Sequence, residues 1–227
     1  MKEKVSIVLP KYKPNRKLLN NLRRYLKKHA LGCEIVEIEG VDGLANAYNQ
    51  GIKKAKGEII ITIHQDCLPL EKDSIKKLIK PFENPKVVMT FSWIKDCETN
   101  RKYSPLPPDG KFVAFRKKIL EEVGLFDEKI FFTGGEDVDI WLKLKKKGEI
   151  IRVETEIAHF HPGYLGNKTL EKRRQNGSIN GALFRIWGFK NPKVFKSLIA
   201  CVVYPRSYGG YFFRAFFRGK QEYRRKE

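Results

Sequence analysis

Asp66 stands just beyond the apolar run Ile59-Ile60-Ile61-Thr62-Ile63, separated from it only by His64 and Gln65. A carboxylate directly after a strand of this kind sits at the carboxyl edge of a sheet. There it can hold a divalent cation, because Mg²⁺ and Mn²⁺ take oxygen ligands and often share them with substrate phosphates. Taken alone, such an Asp is more often merely the cap of the next element. A second group is Gly134-Gly135-Glu136-Asp137-Val138-Asp139. The glycines let backbone come close to a ligand, while acidic residues in a first helical turn are stabilised by the macrodipole whether or not they do chemistry. Asp139 reads as that structural kind. The third group, His159-Phe160-His161-Pro162-Gly163, follows a strand and offers two imidazoles, either of which can ligate.

These groups need a scaffold, and the chain supplies one early. Residues 5–9 read as a buried strand stopped by Pro10, and Asn15 caps a helix with Leu18, Leu19, Leu22 and Leu26 at helical spacing. Residues 33–38 give a second strand, 43–56 a helix ended by Gly57, and 58–63 a third strand apolar enough to be central in a parallel sheet. Strand–helix alternation of this kind predicts an α/β sheet with helices on its faces, mainly parallel. Ligands then sit at the carboxyl ends of the strands, near Pro10–Tyr12, Glu39–Asp42 and His64–Cys67. Further on, 74–81 reads as a helix, 87–93 as a strand and 96–110 as a long Pro-containing loop. A strand over 111–115, a helix to Val123, a helix over 136–147 and strand segments at 150–153 and 156–159 complete the pattern.

Composition narrows the classes. With 227 residues, 41% hydrophobic and 32% charged, the chain is neither disordered nor collagen-like. The run 198–204, the longest apolar one near the C-terminus, is far short of the ~20 residues of a membrane span. The apolar segment after the N-terminus is too short for a signal core, so a cytoplasmic location is expected. Four scattered cysteines without a CxxC pair argue against zinc fingers and disulfide frameworks. The net charge of +20 is uneven: residues 168–227 hold 15 basic and three acidic residues. That predicts an anionic partner, whether nucleic acid, phosphorylated substrate or lipid. A nucleic-acid-binding module is one alternative, but no recognisable motif accompanies the charge. A nucleotidyltransferase is another; Pro10-Lys11-Tyr12-Lys13-Pro14 lacks the glycines of its phosphate loop.

Taken together, the motifs resemble the family 2 inverting nucleotide-sugar glycosyltransferases of GT-A fold, over about residues 4–165. The likeness is carried by Val5–Tyr12, Gly43–Ile52, Ala55–Glu58, His64-Gln65-Asp66, Val123–Glu128, Gly135–Trp141 and the distal His. The His-Gln-Asp form looks like the subgroup related to a streptomycin-biosynthesis transferase. The resemblance implies a nucleotide-diphosphate sugar donor and Mg²⁺ or Mn²⁺. It implies that Asp66 is the retained carboxylate of a metal-binding Asp-x-Asp, with His64 where the first Asp would stand, and that His161 or His159 contacts the metal. It places Pro10 and Tyr12 against the base, Glu39 (or Asp42) as the acidic residue that reads it, and Asn49, His64 and Gly135 along the donor. Asp137 looks like the catalytic base, with Glu136 beside it.

Beyond about residue 165 the chain turns helical, basic and aromatic, an appendage over 166–227. Phe212, Phe213, Phe216 and Phe217 are expected on one helical face, suited to an anionic membrane surface and hence to a lipid-linked acceptor. Docking of that face on the catalytic domain, or on a second copy in a homo-oligomer, is the other expectation.

Overall fold

The computed structural model describes residues 4–104, 106–132, 134–160 and 170–223. Strand β1 (Val5–Lys11) leads through α1 (Arg16–His29) to β2 (Glu34–Glu39), and through α2 (Leu44–Lys54) to β3 (Ile59–Ile63). Asn15 caps α1 as expected, its side-chain oxygen accepting from the Lys17 and Leu18 amides at 3.0 and 3.2 Å. A short β4 (Cys67–Pro69), α3 (Ser74–Ile79) and β5 (Val87–Asp96) follow. After them come β6 (Lys102–Tyr103), β7 (Phe112–Arg116), α4 (Lys117–Glu122), α5 (Glu136–Leu144) and the long β8 (Glu149–His159).

The sheet runs β2-β1-β3-β7-β5-β8-β4, with β6 on β5. Side chains alternate across it. Ile7, Leu9, Ile59, Ile61 and Ile63 pack on Leu19, Leu22 and Leu26 of α1 and on Ile75 and Leu78 of α3. Val8, Ile60, Val113 and Phe115 face Tyr48 and Ile52 of α2, Leu120 of α4 and Ile140 and Leu144 of α5 on the other side. Burial on both faces is why β3 carries almost no polar residue.

The α/β layering with flanking helices is as expected, but the sheet is mixed. Parallel pairing covers β2, β1 and β3, and recurs between β5 and β8. Beyond β3 the sheet reverses: β7 is antiparallel to both β3 and β5, and β4 is antiparallel to β8. The two segments expected at 150–159 are one strand, with register shifts against β5 between Val87 and Met89 and between Phe91 and Trp93.

The C-terminal helices are α6 (Leu170–Trp187), α7 (Val194–Val203) and α8 (Gly210–Arg218), the last two joined through a π-helical turn at Pro205–Gly209. Helix α8 lies on α6 where Gly177 and Gly181 leave room: a Cβ there would sit 2.4 and 2.0 Å from the Tyr208 and Phe212 carbonyl oxygens. Ala182, Leu183 and Ala215 share a cluster with Phe131 and with Val138 and Leu142 of α5. The Gln221 amide donates to the Ile130 carbonyl at 3.0 Å, and its side chain accepts from the Phe132 amide. The four phenylalanines do not share one environment. Phe212 is buried and Phe216 packs on Phe184, whereas Phe213 and Phe217 are exposed. Neighbours in sequence lie about 100° apart around a helix, so the group splits into two i, i+4 pairs. Among the described residues no helix is long and apolar enough to cross a membrane.

Candidate active site

The antiparallel pairing of β4 with β8 sets Cys67 opposite His159, and so brings the Asp66 carboxylate to the end of β8. The Phe160 amide donates to the Asp66 carbonyl at 2.9 Å and locks that meeting. His159 Nε2 lies 3.4 Å from Asp66 Oδ2, and His64 Nδ1 lies 4.0 Å from Oδ1. One ligand atom each from Asp66, Cys67 and His159 fall within 4.8 Å of one another. Burial alone would raise the Asp66 carboxyl, but the His159 hydrogen bond and the two imidazoles outweigh it and hold it at about 2. Desolvation lowers His64 to about 4, so its ring is neutral near pH 7, and its Nε2 is buried without a hydrogen-bond partner. Burial pushes the Cys67 thiol well above its ordinary value. A carboxylate and imidazole nitrogens beside a protonated thiol fit a cation that takes oxygen and nitrogen better than a thiolate site. His161 lies outside the described residues.

The acid pair starts α5. Gly134 and Gly135 precede it with φ of 84° and 98°, a left-handed backbone that favours glycine, and a Cβ on Gly135 would meet Phe131 and Ile179 at 2.8 Å. Glu136 is buried, and desolvation followed by the neighbouring Asp137 raises its carboxyl to about 8. Asp137 is half-buried; it is raised by burial and the charge of Asp109, against the opposing pull of Lys193 and the Val138 amide, which donates to its Oδ1 at 2.8 Å. Asp139 is structural, as its position suggested. It accepts from Trp187 Nε1 at 2.8 Å and pairs with Lys143 at 2.7 Å, tying α5 to the end of α6.

Between the two groups lies a pair that sequence reasoning missed. Asp109 and Lys111 form a partly buried ion pair at the start of β7, and the intervening Gly110 carbonyl accepts from Tyr48 and Thr62. The charge of Asp109 acts on His64 and on both members of the acid pair. Because β7 runs antiparallel to β3, its first residues stand at the carboxyl end of β3, beside His64, whose amide donates to the Lys111 carbonyl. The charged pair flanking a glycine before an apolar strand was the available signal. Lys193, from the turn before α7, was likewise missed.

The remaining expected residues are distributed around this centre. Pro10 is buried in β1, and Tyr12 is exposed with its backbone amide and carbonyl both bonded to the Gln65 side chain, clasping the β1 and β3 ends together. Glu39 ends β2 with an exposed carboxylate 2.7 Å from Lys11 Nζ, and lines a cavity of about 290 Å³ with Arg16 and Arg23. Asp42 lines a different cavity of about 370 Å³ with Gly43, Asn46, Glu128 and Phe132. Asn49 is not brought to the site. Its amide bonds the Phe126 amide and carbonyl and Glu128, which fastens α2 to the turn before α5.

The model of the family described as glycosyl transferase family 2 matches residues 17–141. No curated protein matches the chain. Among solved structures, GalNAc-T7 with UDP, GalNAc and Mn²⁺ is similar with a TM-score of 0.64 at 15% identity, over 95% of this chain and 54% of that one. The chain thus spans about half the length of that relative. The mannosyltransferase PcManGT from Pyrobaculum calidifontis, in complex with GDP-Man and Mn²⁺, is similar at 0.59 and 16% identity, over 96% of this chain and 74% of that one. The catalytic domain of Drosophila beta1,4galactosyltransferase 7, in complex with xylobiose, is similar at 0.53 and 16% identity, over 66% and 64%. At these identities the likeness establishes the fold.

Proposed function

This chain belongs to glycosyl transferase family 2, and from that premise we propose that it moves a sugar from a nucleoside-diphosphate donor to an acceptor hydroxyl or phosphate, with inversion at the anomeric carbon. The observation that carries the reading is the meeting of Asp66 with His159 at the sheet edge that also holds His64 and the Asp109 charge, which reaches the acid pair. Asp66 and His159 would hold Mn²⁺ or Mg²⁺, with His64 alongside; two of the structural neighbours carry Mn²⁺ with UDP or GDP-Man. Bound there, such a cation neutralises the charge that develops on a departing diphosphate.

The chain's own residues do the rest. Burial raises Glu136 to about 8, and Asp137, which is the more accessible member of the pair, is the one assigned to receive the proton. Asp137 takes the acceptor's proton as the acceptor oxygen bonds to the anomeric carbon and the bond to the diphosphate oxygen breaks with its electron pair. One displacement assisted by one base inverts the centre. Glu39 at the end of β2 is the residue assigned to the base, and residues 1–165 the part assigned to the chemistry. For the acceptor we assign a lipid-linked sugar or polyprenyl phosphate at a cytoplasmic membrane face, supported by the cationic, aromatic C-terminal helices. The test is a panel of nucleotide sugars screened by thermal shift and donor hydrolysis with Mn²⁺, Mg²⁺ or chelator. One or a few donors should stabilise the chain only with metal; no response to any donor would contradict the reading.

A further inference from the structure

Helix α7 is apolar on two faces and the fold uses one. Val194, Ser197 and Cys201 point inward, while Phe195, Ile199, Val202 and Val203, at i, i+4, i+7 and i+8, are 57–80% exposed. This outer stripe does not stop at the helix. Ring contacts of 5.4–6.1 Å run from Phe195 to Phe189, then to Phe184, Phe216 and Phe217, joining α7 to the outer side of α8. Phe189 and Phe217 are 70% and 76% exposed. A continuous apolar surface of this kind on a folded chain marks an interaction site.

Charge says what kind. Residues 172–221 contain 11 Lys and Arg and no Asp or Glu. Exposed Lys190 and Lys196 adjoin Phe189 and Phe195, and the Arg185 guanidinium lies 5.8 Å from the Phe216 ring. A second protein would have to bury this apolar stripe while supplying acidic groups all around it. An anionic bilayer supplies both at once: an acyl boundary for the rings and headgroup charge for the rim. We propose that the α7 stripe, with Phe189, Phe213 and Phe217, is a lipid-docking surface that seats the protein flat on an anionic membrane.

The surface also has a direction. Lys193 is the residue just before α7, and its charge acts on Asp137. Trp187 at the end of α6 is bonded to Asp139 of α5, two residues beyond Asp137, and α7 begins at Val194 soon after Trp187, so the start of α7 lies toward the acid pair. An acceptor anchored in the membrane would approach Asp137 from the side on which the chain is seated. That last point rests on the transferase reading; the docking surface itself does not.

Deleting the tail is a poor test, because Phe212 and Gln221 close the interior, so surface substitutions replace it. The full chain and the Phe195→Ser/Ile199→Ser variant are sedimented with vesicles of phosphatidylglycerol in phosphatidylcholine, or of phosphatidylcholine alone, at low and high salt. The full chain should bind the anionic vesicles selectively and lose binding at high salt. The serine variant should bind about tenfold more weakly, with its melting temperature and donor hydrolysis retained. Lys190→Glu/Lys196→Glu, which leaves the apolar stripe intact, should weaken binding by at least about fivefold per cation removed. Failure of the full chain to bind, equal binding to both vesicle types, or unchanged binding in both variants would overturn the proposal. So would a dimer in sedimentation velocity that the serine variant dissociates without change in vesicle binding, which would make a second copy the occupant. Donor hydrolysis in solution is read separately, so loss of the transferase reading and loss of the docking surface are distinguishable.

Discussion

Asp109→Asn isolates the partly buried ion pair at the centre of the site. The Lys111 side chain is 12% exposed and that of Asp109 27%. Burial alone would push the Lys111 ammonium down, and the Asp109 carboxylate beside it drives it above its ordinary value instead. Removing the carboxylate strands a cation with little access to water, a change that costs up to about 3–5 kcal/mol. In a chain of this size that corresponds to a fall in melting temperature of about 6–20 °C. Lys111→Met is the milder change, because water reaches the more exposed Asp109; about 1–3 kcal/mol is expected. The double variant Asp109→Asn/Lys111→Met removes both charges and should lie within about 1 kcal/mol of the wild type. Urea unfolding of the four proteins, with slopes checked for constancy, closes the cycle. Asp109→Asn costing no more than Lys111→Met, or two single effects that simply add, would show that the pair is not coupled as described. A kinetic signature should accompany it. The Asp109 charge raises Asp137, so its loss lets Asp137 ionise at lower pH, and the acid limb of the rate profile should move to lower pH.

Asp137→Asn should retain donor binding while turnover falls by about 10²–10⁴; donor hydrolysis at the wild-type rate would assign the base elsewhere. Glu136 is raised from 4.5 to about 8, so the folded chain keeps a proton that the unfolded chain releases, and this contribution is complete below pH 4.5 and lost as pH rises through 8. Glu136→Gln should therefore raise the melting temperature more at pH 8.5 than at pH 4.5, and equal shifts at both would contradict the raised value. Trp187→Phe deletes the hydrogen bond to the buried Asp139 carboxylate and should cost about 1.5–3 kcal/mol, measured by chemical unfolding. A change within error would mean that Lys143 alone satisfies Asp139.

The sequence made the first half of the sheet and its edge legible because there each strand is followed by a helix and the chain runs parallel. The position of Asp66, the cap at Asn15 and the glycine entry to α5 all follow from local pattern. Asp109 and Lys111 did not, because a charged residue before a strand reaches this edge only when that strand runs antiparallel, and pairing direction is a non-local choice. Asn49 illustrates the converse. It stands within a motif that points to the donor, yet its amide is engaged with Phe126 and Glu128. For α8, four apolar positions in six residues suggested one face; only the contact with Gly177 and Gly181 decides which pair turns inward.

The most direct measurement is calorimetric titration of nucleoside diphosphates into the wild-type chain and Asp66→Asn, each with Mn²⁺ and with chelator. Binding should require the metal in the wild type and be lost in Asp66→Asn while that variant remains folded. Equal nucleotide affinity with and without metal, or in both proteins, would contradict the account of Asp66 and His159 as the cation-holding centre of the transferase.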